Sequence, residues 1–139
     1  MGNDGCLFCR IVSGDAEATI VYRDKNSLAF LDIRPLFHGH VLVVPREHFE
    51  TLSDLPAEKV ESLFQVVRKL AQAVESGMEA EGSFVAMNNR ISQSVPHLHV
   101  HVVPRRKKDG LKGFFWPRTK YKSGEEMIEV KERIVAALR

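Results

Sequence analysis

An alternating run of histidine and apolar residues late in the sequence restricts the possible folds more than any other segment. Residues 97–103 read His-Leu-His-Val-His-Val-Val. In a β-strand successive side chains point to opposite faces, so His97, His99 and His101 would share one face and the apolar residues between them the other. Three neighbouring imidazoles are costly to bury without partners. The run therefore predicts a strand with one face in the core and the other against a metal ion, a phosphate or further histidines.

The other three histidines lie in a second short segment, as His38, His40 and His48. All six histidines of the chain thus fall in two stretches, which random scatter would not produce. A solvent-facing strand of indifferent histidines is the simplest alternative. It leaves the second group unexplained, so we expect the two segments to converge on one site.

The rest of the pattern predicts an α+β domain with an antiparallel sheet of about five strands and two helices. Residues 6–13 form a short apolar segment ending in a turn at 13–15. The first helix is expected to begin with Ser53 or Asp54 as its cap, with Pro56 in the first turn, and to stop near Gly77. The second helix is predicted over 124–137. The predicted strands cover residues 19–22, 28–31, 41–44, 83–88 and 95–103.

Length and charge exclude several classes of protein. A chain of 139 residues suits a single domain. Its 20 Lys and Arg against 18 Asp and Glu give a net charge of +2, too weak to indicate nucleic acid as a partner. No apolar run would span a membrane, and residues 1–5 lack the basic and apolar parts of a signal peptide, so we expect a cytoplasmic protein. A basic run at 105–108 is either a solvated loop or an anion-recruiting patch.

The two cysteines form a C-x-x-C pair, Cys6 and Cys9. In a reducing compartment this spacing indicates metal or redox chemistry rather than a structural disulfide. It is half of a tetrahedral zinc site, which two histidines would complete. The alternatives are two unligated thiols or a redox pair, although a redox pair usually begins a helix in a βαβ setting that is not predicted here.

Residues 97–103 match at every position the His-φ-His-φ-His-φ-φ signature of the histidine triad (HIT) family, where φ is apolar. Three other segments resemble the family's opening, its nucleotide-binding strand pair and its approach to the triad: residues 6–14, residues 28–35 with 39–45, and residues 93–95. The resemblance implies one domain over 1–139, with 106–139 a basic and aromatic extension ending in a helix. It also implies a homodimer, joined through the long helix and a strand edge into one sheet of about ten strands.

The resemblance further implies an enzyme that binds a purine nucleotide and cleaves at its α-phosphorus through a covalent nucleotidyl-histidine. Phosphoramidates or dinucleoside polyphosphates would be the substrates. His99 would be the nucleophile, His101 would contact the α-phosphate with His40 beside it, and Ser94 would contact phosphate oxygens. A dinucleoside polyphosphate phosphorylase and a nucleotide-binding adaptor with negligible turnover are the alternatives.

By the same resemblance, Asp32 would hold the ribose hydroxyls. Four apolar residues would line the base pocket: Phe8, Ile11, Phe30 and Ile33. Two polar residues, Asn88 and Gln93, would approach the phosphate. Residues 88–94 lack the glycines usual in this family loop, which let backbone amides approach a phosphate closely. The aromatic loop at 114–117 would either cover the leaving-group side or pack on the dimer partner.

Bacterial triad proteins with this opening resemble one another in binding zinc. The implied ligands here are Cys6, Cys9, His48 and His97. Four protein ligands leave no open position, so the expected zinc is structural rather than catalytic.

Overall fold

The computed structural model describes residues 5–112 and 117–138. It confirms the predicted α+β class: five described strands form one antiparallel sheet in the order β1-β2-β3-β5-β4. The elements are α1 (Leu7–Ser13), β1 (Ile20–Arg23), β2 (Ser27–Leu31), β3 (Val41–Pro45), α2 (Ala57–Gly77), β4 (Gly82–Ala86), β5 (Val100–Arg105) and α3 (Gly124–Ala137).

The sheet is covered on both faces, and its central strand β3 contributes to both cores. One face packs against α2, whose buried side chains recur at helical spacing. The other face packs against α1 through Phe8 and Ile11. Val43 belongs to the α2 side and Val44 to the α1 side, and neither has exposed surface. Burial on both faces explains why residues 41–44 are continuously apolar.

The structure has one helix more than the sequence predicted. The segment at 6–13 is the helix α1, with Cys6 as its N-cap and Gly14 as its C-cap at φ +89°. A seven-residue helix is shorter than the window in which helical periodicity can be recognised. The turn predicted at 13–15 is the end of this helix.

The strand predicted over 95–103 begins and ends later, at Val100 and Arg105. Pro96 has no N–H to give to a sheet ladder. The Leu98 N–H donates instead to the Phe49 carbonyl at 2.7 Å, outside the sheet. The side chains of this segment still alternate between two faces, because Leu98 and Val100, which lie between the histidines, both enter the core beside α2. His97 and His99 therefore precede the strand, and only His101 lies on it.

The predicted start of the long helix was also wrong. Ser53 and Asp54 lie in a separate 3₁₀ turn, and α2 begins at Ala57 after Pro56. The Asp54 carboxylate accepts hydrogen bonds from the Thr51 N–H at 3.1 Å and hydroxyl at 2.8 Å. It caps this short turn, so it does not cap α2.

Gly39 determines how the chain reaches His40. Its φ is +97°, a left-handed conformation that side chains disfavour, and an added Cβ would lie 2.6 Å from Met78 Cγ. We expect Gly39→Ala to lower the free energy of unfolding by about 1–3 kcal/mol, measured by urea denaturation.

Gly77→Ala is the matched control, because Gly77 lies at the end of α2 and an added Cβ there meets nothing within 4 Å. It should be neutral or slightly stabilising. Equal stability of the two variants would contradict the role given to Gly39.

Residues from Gly110 onward form a second compact unit. In it α3 has the predicted bounds, and the Ser123 hydroxyl accepts the Glu126 N–H at 3.1 Å. The aromatic residues Phe114, Phe115 and Trp116, for which a covering or packing role was expected, lie outside the described residues, as do residues 1–4. Among the helices described, none is both long and apolar enough to cross a membrane.

Candidate functional site

Four side chains distant in sequence bring their donor atoms together beside α1. Cys6 Sγ lies 3.4 Å from His97 Nδ1, and Cys9 Sγ lies 3.3 Å from His48 Nδ1 and 3.5 Å from His97 Nδ1. All four donor atoms lie within 4.8 Å of one another. The two cysteines meet because Cys6 caps α1 and Cys9 lies in its first turn.

These distances fit a tetrahedral metal site. With Zn–S bonds of about 2.3 Å and Zn–N bonds of about 2.0–2.1 Å, the donors of a tetrahedron lie roughly 3.3–3.8 Å apart. The three sulfur-to-nitrogen distances, from 3.3 to 3.5 Å, fall within that range. Two thiolates and two imidazoles are also a preferred donor set for zinc.

The backbone fixes which nitrogen of His97 faces the thiols. Its Nε2 donates to the Pro45 carbonyl at 2.8 Å, since a carbonyl can only accept. Nδ1 therefore keeps its lone pair toward Cys6 and Cys9. Burial lowers the pKa of His97 to about 4, so its imidazole is neutral at pH 7. A neutral ring oriented by a second hydrogen bond is the usual state of a metal-binding histidine.

His99 is oriented by the same histidine. Its Nδ1 donates to the His97 carbonyl at 2.8 Å, which leaves Nε2 without a proton. Burial lowers the pKa of His99, although the bond to the carbonyl opposes this shift. Phe8 packs edge-on against the ring at a centroid distance of 5.0 Å. His99 thus presents an unprotonated nitrogen in a fixed direction.

His40 and His101 form a hydrogen-bonded pair whose proton positions also follow from the backbone. The Leu36 N–H donates to His40 Nδ1 at 3.0 Å, so the proton of neutral His40 is on Nε2. That nitrogen lies 2.9 Å from His101 Nδ1 and donates to it, which leaves the proton of His101 on Nε2. Burial lowers both pKa values, that of His101 to about 4, while the Asp32 carboxylate, 3.6 Å from His40, opposes the shift.

A cavity of about 240 Å³ lies between α1, the end of β2 and the histidine segment. We call it the histidine cavity. Ile33 is 89% exposed and stands at its rim, while His40 lies buried behind His101. Eight residues predicted for the site line this cavity: Phe8, Ile11, Phe30, Asp32, Ile33, Ser94, His99 and His101.

Asn88 and Gln93 are not among the residues that line the cavity. Asn88 Nδ2 donates to the Ser92 carbonyl at 3.2 Å, and Gln93 Nε2 donates to the Glu50 carbonyl at 2.6 Å. Arg90 and Ser92 have φ values of +72° and +60°, so this glycine-free loop still takes left-handed conformations. Asn88 thus bonds the backbone of its own loop, and Gln93 bonds the backbone of the segment after β3.

A family model described as the HIT domain matches residues 13–108. The chain belongs to the HIT family. A HIT family crystal structure from Bacillus subtilis aligns with this HIT protein at a TM-score of 0.88 and 35% identity, covering 96% of this chain and 97% of that one. The family and fold predicted from the sequence are therefore confirmed.

Two further similar proteins have names that describe their own chemistry. An asymmetrical bis(5'-nucleosyl)-tetraphosphatase from Schizosaccharomyces pombe is 39% identical over 92 residues, which cover 65% of this chain and 50% of that protein. A crystal structure of a Zn-bound histidine triad family protein from Mycobacterium smegmatis aligns at a TM-score of 0.75 and 39% identity, covering 99% of this chain and 100% of that one.

Several groups that shape the site were absent from the sequence prediction. The histidine tautomers are fixed by three backbone groups: the carbonyls of Pro45 and His97 and the N–H of Leu36. Nearly every residue has such groups, so the amino-acid sequence does not show which of them will contact a histidine. Glu17 and Arg34 line the histidine cavity. Neither was predicted as a site residue. Arg34 lies in the 28–35 segment that resembles the family's strand pair, whereas Glu17 lies outside every predicted motif.

Proposed function

We propose that this HIT protein is a nucleotide hydrolase or nucleotidyl transferase, which cleaves at the α-phosphorus of purine nucleotide phosphoramidates or dinucleoside polyphosphates. The observation that carries the proposal is the unprotonated Nε2 of His99, held on the wall of a cavity by the Nδ1 bond to the His97 carbonyl. A neutral imidazole fixed in one tautomer is a competent nucleophile at neutral pH.

In the first step His99 Nε2 attacks the α-phosphorus, and the bond from phosphorus to the leaving group breaks. The product is a nucleotidyl-histidine whose Nδ1–H still donates to the His97 carbonyl, which stabilises the positive charge on the ring. The leaving group departs with its electron pair and, where it is basic enough, takes a proton from solvent water. A second water then attacks the phosphorus and the P–Nε2 bond breaks, which restores neutral His99 and releases the nucleoside monophosphate, with one proton of that water passing to solvent.

His101 and His40 would stabilise the charge on the phosphate. Because His40 donates to His101 Nδ1, the His101 Nε2–H is free to donate to a phosphoryl oxygen. Such a donor aimed at developing negative charge lowers the barrier for phosphoryl transfer. Ser94 lines the same cavity, and its hydroxyl would donate to the phosphate or the leaving group.

The nucleoside would occupy the remainder of the cavity. Asp32 would accept hydrogen bonds from the ribose hydroxyls, next to the His40–His101 pair. Phe8 and Phe30, which pack edge-to-face at 5.3 Å, would contact the base together with Ile11 and Ile33. Asn88 and Gln93 would act by holding the loop that carries Ser94.

The same proposal assigns a structural zinc ion to Cys6, Cys9, His48 and His97. Bound there, zinc supplies a crosslink between α1, the segment after β3 and the histidine segment. The donor distances and the Zn-bound relative support this assignment.

The function is tested by incubating the protein with adenosine and guanosine 5'-phosphoramidates and with diadenosine polyphosphates, each with and without inorganic phosphate. A hydrolase releases the nucleoside monophosphate in both conditions. A phosphorylase requires phosphate and yields a nucleoside diphosphate. An adaptor binds AMP or GMP without turnover. An acid-labile nucleotidyl adduct, trapped by rapid quenching and mapped to His99, is expected for the proposed mechanism.

We further propose that the active form is a homodimer. Among the described strands, β4 lies at one edge of the sheet, next to β5. Such an edge would accept the same strand of a second copy. The molar mass in solution, measured by light scattering, distinguishes a dimer from a monomer.

A further inference from the structure

The histidine cavity meets a second cavity at the end of α1. The second cavity extends along the loop after α1 toward Arg23 and Arg46, and no histidine lines it. The two cavities share four wall residues: Ile11, Glu17, Ala18 and Ile33. His99 and His101 line the histidine cavity but not the second cavity, so neither belongs to this shared wall.

The course of α1 supports this placement of Glu17. Phe8, in the first turn, lies edge-on to His99 at 5.0 Å. Ile11, three residues later, lines both cavities. Gly14 then ends the helix at φ +89°, and the chain turns to bring Glu17 to the shared wall. The helix thus runs along the cavity from the histidines toward Glu17.

The Glu17 side chain is available to a ligand. Glu17 is exposed, and within residues 5–112 and 117–138 its carboxylate has no hydrogen bond or ion pair. The other acidic residue on the cavity wall, Asp32, lies beside the His40–His101 pair. Arg34 lines the histidine cavity but not the second cavity. Its backbone N–H donates to Asp32 Oδ1 at 2.9 Å, so Arg34 lies beside Asp32.

A nucleotide bound as in the proposed function would present the polar edge of its base to Glu17. With the phosphate at His99 and the ribose at Asp32, the base lies along Phe8 and Ile11 and ends at the shared wall. An ionised carboxylate only accepts hydrogen bonds. Guanine offers two adjacent donors, N1–H and the N2 amino group, which match the two carboxylate oxygens. Adenine offers one amino group beside the N1 acceptor, which repels a carboxylate.

We propose that Glu17 reads the base and makes this site prefer guanine nucleotides to adenine nucleotides. The inference rests on the orientation of the nucleotide in the proposed function. It does not require turnover, because base preference is a property of binding.

The test is the dissociation constant of GMP and of AMP, measured by calorimetry. The unmodified protein should bind GMP about 10-fold more tightly than AMP, within the range for a bidentate base contact. Glu17→Ala should bring the two constants to within about 2-fold. Glu17→Gln should favour AMP, because a carboxamide offers one donor and one acceptor, matching the adenine edge. Asp15→Asn is the control: Asp15 is a nearby exposed acid that lines neither cavity, and its replacement should leave the ratio unchanged.

Equal binding of GMP and AMP by the unmodified protein, or a preference that survives Glu17→Ala, would overturn the role of Glu17. The result that would refute the hydrolase proposal is different from the result that would refute the role of Glu17. Guanine preference without turnover on any phosphoramidate or polyphosphate supports Glu17 and refutes the hydrolase, whereas turnover without base preference does the reverse. Failure of both nucleotides to bind refutes both.

Discussion

Replacing His99 with alanine is expected to lower turnover by at least ~10³-fold while the protein stays folded. The proposed covalent intermediate needs the Nε2 lone pair, and the other histidine described on the cavity wall, His101, has the opposite tautomer, with Nε2 protonated. The measurement is steady-state turnover of a 5'-phosphoramidate, with circular dichroism and thermal unfolding to check the fold.

His38→Ala is the control for this experiment, since His38 is an exposed histidine that does not line the histidine cavity. It should keep full activity. A His99→Gly variant refines the test, because free imidazole added to the solution should restore part of the turnover if only the nucleophile is missing. Turnover within about 10-fold of the unmodified protein in His99→Ala would refute the mechanism.

Loss of a proposed zinc ligand should also have a large effect. His48→Ala should abolish the binding of one zinc ion per chain, and Tm should fall by about 10 °C. A ligand at 1,000 times its Kd stabilises the folded state by about 4 kcal/mol, and each kcal/mol is worth roughly 2–4 °C or more in a domain of this size. Zinc content by mass spectrometry and thermal unfolding, with and without a chelator, measure both effects.

His38→Ala is the control for this experiment as well. It removes a histidine from the segment that contains His48, but His38 is not part of the cluster of Cys6, Cys9, His48 and His97. Its zinc content and Tm should match those of the unmodified protein. If the unmodified protein grown with added zinc contains none, and Zn²⁺ does not raise its Tm, the zinc assignment is wrong. Because His97 is one of the four proposed zinc ligands and its carbonyl orients His99, zinc loss should also lower turnover.

The sequence predicted the elements whose pattern is long or regular. The antiparallel sheet, the long helix and α3 all have enough residues for their periodicity to be recognised. Helix α1 was missed because seven residues, four of them apolar, read equally well as a short buried segment. The start of α2 was misplaced because Asp54 is a good cap for either of two adjacent turns, and only the contacts of Thr51 select the first.

The candidate site likewise contains residues that the sequence predicted and groups that it did not. His99 and His101 carry a signal in residue type and spacing, whereas Asp32 and Ser94 were predicted from the family resemblance. The structure brings all four to one cavity. The tautomers of the histidines carry none, because they depend on carbonyl and amide groups contributed by residues such as Pro45 and Leu36. Glu17 gave no signal either, since one exposed acidic residue in a loop resembles any other.

The alternation of histidine and apolar residues was enough to predict that three imidazoles would share one face, opposite the apolar residues between them, because side-chain direction in an extended chain follows from covalent geometry. It could not determine what those imidazoles would meet. That was decided when α1 packed on the same face of the sheet, which brought two thiols to His97 and a hydrophobic wall to His99. Contacts between segments some ninety residues apart depend on how the whole chain packs, and no local pattern encodes them.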